Sequence, residues 1–212
     1  IINTIKADEA IETDNQSSAN NSFSIEEIIV TAEKRSESLQ DVSKSVTALS
    51  SDELETKNII DFVGLSAITP GLTVAKNEGY KTVISIRGVG NESNQNAIAA
   101  PSVAYHLDGI FIASPFALQT DFIDIDRIEV LRGPQGTLFG QNSTGGTVNV
   151  INTAPTFEDL SGKVDLTLGD YDLVKLRGGV NVPVSDTVAT RFSWVTTDHE
   201  GFTENLVKKE LI

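Results

Sequence analysis

RIEVLRGPQGTLFGQNSTGGTVNVI, residues 127–151, is the stretch whose reading decides the fold. It opens as a short strand, with apolar Ile128, Val130 and Leu131 set among charged Arg127, Glu129 and Arg132. Gly133-Pro134 ends that strand, and a compact loop carrying Gly136, Gly140, Gly145 and Gly146 follows. The β-branched run Thr147-Val148-Asn149-Val150-Ile151 leaves the loop as a second strand. Two chemical readings of this loop fail on its residues. A phosphate cradle needs Lys-Ser/Thr after its last glycine, but Gly145 is followed by Gly146 and no lysine is near. A nucleophile elbow needs glycine two residues before the serine, and Gln141 stands there before Ser143. What remains is a backbone that must turn sharply between two strands.

Upstream, residues 42–49 read as a strand, and Ser50 with Glu53 three residues on forms a capping box that starts a helix. A second short helix is predicted over 59–67, where Ile59, Phe62, Val63 and Ile68 recur near helical spacing, stopped by Pro70-Gly71. Residues 72–75 and 82–87 read as strands, and 91–100 as a polar loop or weak helix. Asp108-Gly109 is a turn between strands at 103–107 and 110–112, and 121–126 leads into the opening strand. Residues 1–24 are too polar to repay ordering and read as a flexible leader. Residues 25–32 are β-prone, between Ser24 and Glu33-Lys34-Arg35. Such a segment can add itself as a strand to another protein's sheet edge, or serve as the first strand of its own domain.

After Pro155 the pattern changes. Val164, Leu166 and Leu168 alternate with Lys163, Asp165 and Thr167. Val174, Leu176, Val180 and Val182 alternate with Lys175, Arg177, Gly179 and Asn181, and Phe192 and Trp194 with Arg191 and Ser193. Strict period two with short turns at Gly169-Asp170 and Ser185-Asp186 is the pattern of a transmembrane barrel, and also of a soluble sandwich edge. Trp194 suits an interfacial aromatic girdle or a core.

Composition narrows the function classes. An apolar fraction of 39% supports a core, and the absence of cysteine excludes disulfides, thiol catalysis and Cys-ligated zinc. A formal charge of -14 argues against nucleic acid, which needs a basic face. No apolar run of about 20 residues exists to form a membrane helix, so a membrane role would fall to a barrel. The chain starts at Ile1 without initiator Met or signal sequence, as a processed product would. His106 and His199 stand alone and receive no role. Asp121, Asp124 and Asp126 lack EF-hand spacing, so a helix-start cluster is the plainer reading than calcium. Arg87 and Arg132 each precede a glycine at a strand end and suit bidentate carboxylate pairing, locally with Glu129 or Asp126 or with a partner elsewhere.

The quoted stretch resembles the plug-domain signature of TonB-dependent outer-membrane receptors, with its loop residues Gly133, Pro134, Gly136, Gly140, Gly145 and Gly146. Three further segments resemble that family in the same order. Glu26, Glu27, Ile28, Ile29, Val30, Thr31 and Ala32 are similar to a TonB box; TVISIRG at 82–88 is similar to its "IRG" strand, and VAYHLDGIFI at 103–112 to its "VDGV" segment. Gln141, where relatives often carry Arg or Lys, and His106, where they carry an apolar residue, depart from the pattern.

The resemblance implies an α+β fold: a plug with a small mixed β-sheet and short helices, then the first antiparallel strands of a transmembrane β-barrel. The expected divisions are a leader at 1–24, a TonB-box region at 25–35, a plug at 36–155 and the start of a barrel at 156–212. Plugged barrels have about 22 strands of about ten residues, and 161–212 has room for about three or four, so the chain is expected to be a fragment. It further implies a non-enzyme in the Gram-negative outer membrane, its plug inside the barrel and its box facing the periplasm. The implied task is energy-coupled uptake of a scarce solute, a ferric siderophore above all, with cobalamin, haem or carbohydrate as alternatives. The implied partners are the periplasmic C-terminal domain of TonB with its inner-membrane energy complex, a small-molecule ligand such as a metal chelate, and outer-membrane lipid. Arg87 and Arg132 would lock plug to barrel by facing barrel carboxylates, and no catalytic residue, cofactor or resident metal is expected. Rival readings from other classes are a soluble β-rich binding or adhesion module and a glycine-rich nucleotide-binding domain.

Overall fold

The computed structural model describes residues 28–31, 35, 37–77, 81–90, 100–201, 204–205 and 210–211. In chain order, β1 (Ile29–Val30), β2 (Glu37–Ser38) and β3 (Val46–Ser50) precede helices α1 (Ser51–Thr56) and α2 (Phe62–Ile68). Strands β4 (Leu72–Asn77), β5 (Lys81–Ile86), β6 (Val89–Gly90), β7 (Val103–Leu107) and β8 (Ile110–Phe111) follow, then a 3-10 turn at Pro115–Gln119. β9 (Ile125–Arg132), α3 (Gly136–Phe139) and β10 (Gly146–Asn152) make up the quoted stretch. The chain continues through β11 (Ser161–Gly169), β12 (Leu173–Ser185) and β13 (Val188–Asp198) to two short strands, β14 (Glu204–Asn205) and β15 (Glu210–Leu211).

The strand, turn and strand expected of 127–151 form an antiparallel pair, from Gly146 opposite Arg132 to Ile151 opposite Arg127. A short helix, α3, sits inside the loop, where the glycines alone predict a turn. β9 pairs on its other edge with β3, and β10 runs parallel to β7, so the sheet order is β3-β9-β10-β7-β8. One parallel pair among antiparallel ones makes the sheet mixed, as expected. The Asp108-Gly109 turn joins β7 to β8 with φ of 49° and 80°, the double left-handed geometry of a tight hairpin.

One face of this sheet builds the main core. Val103, Tyr105, Ile128, Val130, Val148 and Val150 pack there against Leu54 of α1 and Phe62 and Leu65 of α2. Phe62 meets Tyr105 and Phe122 edge-on, with centroids 5.0 and 4.9 Å apart, an arrangement favoured by the aromatic quadrupole. α1 begins at the expected cap, Ser50 Oγ accepting the Glu53 N–H at 3.4 Å. α2 starts at Phe62 rather than at 59, because Asp61 caps it, accepting the Gly64 N–H at 2.7 Å. The opposite face of the sheet is also covered: Leu131 packs with Val30, Ala48 and Phe139.

The strands after Pro155 form the expected antiparallel meander, β11-β12-β13. Val164, Leu166, Leu168, Val174, Phe192 and Trp194 are exposed along one side. Lys175 and Asn181 are buried on the other, Lys175 beside Asp121 and Asn181 beside Thr156. Among the described residues no helix is long and apolar enough to cross a membrane.

Gly146 is the tightest point of the quoted hairpin. It adopts φ of +149°, and a Cβ there would lie 2.3 Å from the Leu131 carbonyl oxygen. Gly146→Ala is expected to destabilise the plug by about 2–3 kcal/mol through overpacking and backbone strain, read as a lower urea midpoint at unchanged m-value.

Candidate functional site

Of the TonB-box candidates, Glu26, Glu27 and Ala32 lie outside the described residues. Ile28, Ile29, Val30 and Thr31 are docked on the plug. β1 and β2 pair Ile29 with Ser38 and Val30 with Glu37, and the Leu39 N–H donates to the Ile28 carbonyl at 2.9 Å. Alternation then divides the segment: Val30 is fully buried beside Leu131 and Phe139, whereas Ile29 is 54% exposed. Thr31 reaches the polar side of β9, where its N–H donates to Glu129 Oε1 at 2.6 Å and its hydroxyl to the same oxygen at 3.0 Å. Glu129 has no exposed surface.

In the signature loop, the Gly133 N–H donates to the Gly145 carbonyl at 3.0 Å and closes the turn, and the Gln135 N–H donates to the Ser143 carbonyl at 2.9 Å. Gly133, Gly140 and Gly146 take positive φ, and a Cβ on Gly145 would meet the Val89 carbonyl oxygen at 2.9 Å; Pro134 and Gly136 lie in the same loop. Arg87 occupies the β5–β6 turn at φ of +53°, uncommon for a residue with a side chain, and its Nη2 lies 3.5 Å from Ser45 Oγ. Arg132 ends β9. Its Nε donates to the Pro70 carbonyl at 3.1 Å and its terminal nitrogen to Thr47 Oγ1 at 2.7 Å. Burial, and then the like charge of Arg87, lower the affinity of Arg132 for its proton, so the two guanidinium groups sense each other. The local partners considered for Arg132 are taken: Glu129 and Asp126 both pair with Arg127, at 3.0 and 2.6 Å. Among the described residues no carboxylate pairs with Arg87 or Arg132.

The seam between plug and meander was not legible beforehand. Asp121, Asp124 and Asp126 begin no helix; the first two face cations on the meander, which corrects the helix-start expectation. Arg191 of β13 grips Asp124 with both nitrogens, Nε to Oδ2 at 2.5 Å and Nη2 to Oδ1 at 2.6 Å, and Ser193 adds its hydroxyl. Asp121 pairs with Lys175 of β12, and Glu55 of α1 with Lys163 of β11. All three pairs put the acid on the plug and the base on the strands, opposite in sense to a lock of plug arginines. Asp124 is left-handed at φ of +53°, and Thr153 fixes that turn by donating its N–H and hydroxyl to the Asp124 carbonyl at 2.9 and 3.0 Å.

Gly178 and Gly179 of β12 open a gap on each side of the meander. A Cβ on Gly179 would meet Asp124 Oδ2 at 2.8 Å, and one on Gly178 would meet the Trp194 ring at 2.5 Å. Glycine therefore lets the carboxylate approach on one face and the indole lie flat on the other. Fully buried Asn181 clamps the linker, accepting the Thr156 N–H at 2.9 Å and donating to its carbonyl at 3.1 Å. Of the histidines, His106 is buried between the rings of Phe111 and Phe139, and His199 lies beside the Glu200 carbonyl at 2.7 Å.

A family model described as the TonB-dependent Receptor Plug Domain matches residues 38–147. The pesticin receptor of Yersinia pestis is 30% identical over 164 residues, covering 75% of this chain and 23% of that receptor. The iron-regulated outer membrane virulence protein of Vibrio cholerae is 33% identical over 151 residues, covering 67% of this chain and 22% of that protein. The crystal structure of the ferric yersiniabactin uptake receptor FyuA from Yersinia pestis superposes with a TM-score of 0.70 at 24% identity, over 79% of this chain and 26% of that one. The chain spans less than a quarter of the length of these curated relatives.

Burial pushes the Asp124 carboxyl up, but the hydrogen bonds from Arg191 and Ser193 and the Arg191 charge outweigh it and hold the group below the usual aspartate range. A depressed folded value means that the pair stabilises fully above the unfolded value of about 3.9 and is lost as pH falls through the folded one. Asp124→Asn is therefore expected to lower stability by about 2–3 kcal/mol at neutral pH. That is less than the roughly 3–5 of a fully buried pair, since the two side chains remain 15% and 17% exposed. Urea melts of both proteins against pH should draw together as pH falls below about 3.9 and converge only below the depressed folded value.

Proposed function

Because the chain belongs to the TonB-dependent receptor family of the Gram-negative outer membrane, we propose that it is the plug portion of a receptor that imports a ferric siderophore with energy delivered through TonB. The observation that carries this is the two-faced meander. Its charged side holds a folded plug through Asp121, Asp124 and Glu55, while its other side bares Val164, Leu166, Leu168, Phe192 and Trp194. A soluble module would have to cover that row; a barrel wall turns it to lipid. The relatives are transport receptors, and most of their names concern iron, pesticin or pyoverdine, which favours a metal chelate; a vitamin B12 transporter of Vibrio vulnificus, 30% identical over 133 residues, makes cobalamin the second reading.

In this reading residues 1–24 lead to the TonB box, residues 36–155 fill the lumen and residues 156–212 begin its wall. TonB takes hold at Glu26, Glu27, Ile28, Ile29, Val30, Thr31 and Ala32 from the periplasm. Undocked, the segment offers a β-prone edge whose main-chain groups pair with a partner's sheet. No bond of the solute is made or broken, so the receptor works by conformational change alone. Arg87 and Arg132, which have no carboxylate partner among the described residues, would take carboxylates from other parts of the barrel lumen.

Three outcomes are expected. Cells carrying the complete receptor take up radiolabelled ferric siderophore only when TonB is present; uptake of cobalamin alone would move the substrate elsewhere. A peptide of residues 25–32 binds the TonB C-terminal domain, and Ile28→Pro, which removes a strand donor and fixes φ, abolishes that binding in calorimetry. In the complete receptor, Arg87→Ala or Arg132→Ala leaves a buried carboxylate unpaired at a cost of roughly 3–5 kcal/mol. Hydrogen exchange across 127–151 then accelerates while barrel melting holds steady, and unchanged exchange in both variants would remove the lock.

A further inference from the structure

Glu129 is an interior carboxylate on the second face of the central sheet, with no exposed surface. A buried carboxylate is tolerated only when its oxygens are hydrogen-bonded. Arg127 Nε donates to Oε1 at 3.0 Å, and Asn149 Nδ2, from the residue directly opposite on β10, donates to Oε2 at 3.3 Å. These two belong to the sheet itself and fix the plane of the carboxylate. The other two donors come from a single residue far away in sequence, the N–H and hydroxyl of Thr31. Arg127 also reaches the Thr31 hydroxyl, at 3.4 Å.

The rest of the attachment of residues 28–31 is short: buried Val30, partly buried Ile28 with its carbonyl bonded to the Leu39 N–H, and pairing with the two-residue strand β2. Hydrogen bonds to an ionised group are worth about twice neutral ones. We propose that Glu129 is the latch of the plug, its buried carboxylate, preset by Arg127 and Asn149, holding Thr31 and so governing how readily residues 28–31 leave the sheet for a partner. Because the acceptor is already oriented by the sheet, the segment can leave and return without rearranging β9 or β10. When it leaves, Glu129 keeps Arg127 and Asn149, and the face vacated by Thr31 opens to water. The carboxylate therefore has hydrogen-bond donors in both states, from Thr31 when the segment is docked and from water when it has left, which is what a reversible latch requires.

The latch rests on the proposed function only for what the released segment does next, and the test separates the two. Hydrogen exchange of a peptide spanning 28–31 is followed in the complete receptor, with Glu129→Gln, Glu129→Ala and Thr31→Val. Thr31→Val keeps the shape and the N–H but removes the hydroxyl, and should speed exchange several-fold. Glu129→Gln retains a neutral acceptor and should act similarly, while Glu129→Ala should give about tenfold or more. Exchange across β7 and β10 should stay at the parental rate; if Glu129→Ala raises it there by unfolding the plug, Thr31→Val and Glu129→Gln decide. Parental exchange at 28–31 in both of these overturns the latch. Binding of the purified TonB C-terminal domain to the same proteins is measured in parallel and should strengthen as exchange quickens. Faster exchange with unchanged TonB binding leaves the latch standing and removes the engagement reading instead.

Discussion

An interior strand of a sheet that is covered on both sides has no face to give to water, and β9 is that strand here. Ile128 and Val130 point into the main core, so Glu129 and Leu131 must point to the second face. The carboxylate of Glu129 can exist there only because Arg127, Asn149 and Thr31 surround it. The second face in turn needs an apolar cover, which Val30 and Phe139 supply. The loop of 133–145 has to fold α3 back over the sheet to bring Phe139 there, which makes its turn chemistry a consequence of the two-sided burial of β9.

The same strand begins at the wall. Asp124 immediately precedes β9, and its pair with Arg191 ties the start of the strand to β13, while Gly179 leaves the gap through which the carboxylate reaches. Bidentate geometry matters more here than charge alone, because Arg presents two parallel donors that hold direction as well as distance. The opposite side of β12 repeats the device for an apolar partner, Gly178 making room for Trp194. Adjacent glycines in an alternating strand thus serve both surfaces of the wall, the polar one toward the plug and the apolar one away from it.

Much of the fold was legible because it is written in periodicity and turn chemistry. Period two separated Val164, Leu166 and Leu168 from Lys163 and Asp165, and the meander sorts them to opposite sides. Asp108-Gly109, Gly133-Pro134 and the Ser50 cap likewise act within a few residues. What was missed depends on partners distant in the chain. Asp121 and Asp124 read as a local acidic cluster because Lys175 and Arg191 lie more than fifty residues away. The Asp61 cap was available in sequence but was outweighed by the apolar spacing from Ile59. Arg132 next to Glu129 and Asp126 suggested a local bridge, yet strand alternation turns Arg132 to the face opposite Glu129, toward Pro70, Asp126 lies at the far end of β9, and Arg127 takes both acids.

The two attachments of β9 differ in kind, and the difference orders their release. Residues 28–31 are held by a short edge pairing, one buried valine worth about 1.5–3 kcal/mol and the bonds of Thr31. The start of β9 is held by a bidentate ion pair, a backbone-fixed turn at Thr153 and the adjoining pair of Asp121 with Lys175. β9 itself lies between β10, which pairs along nearly its whole length, and β3, which pairs with residues 127–131, so it is held by ladders on both edges. A pull on the N-terminal side therefore meets the weakest bonds first. Such a pull would strip Thr31 and Val30 from the second face while Asp124 still fastens the strand to β13, uncovering Glu129 while Leu131 keeps Ala48 and Phe139.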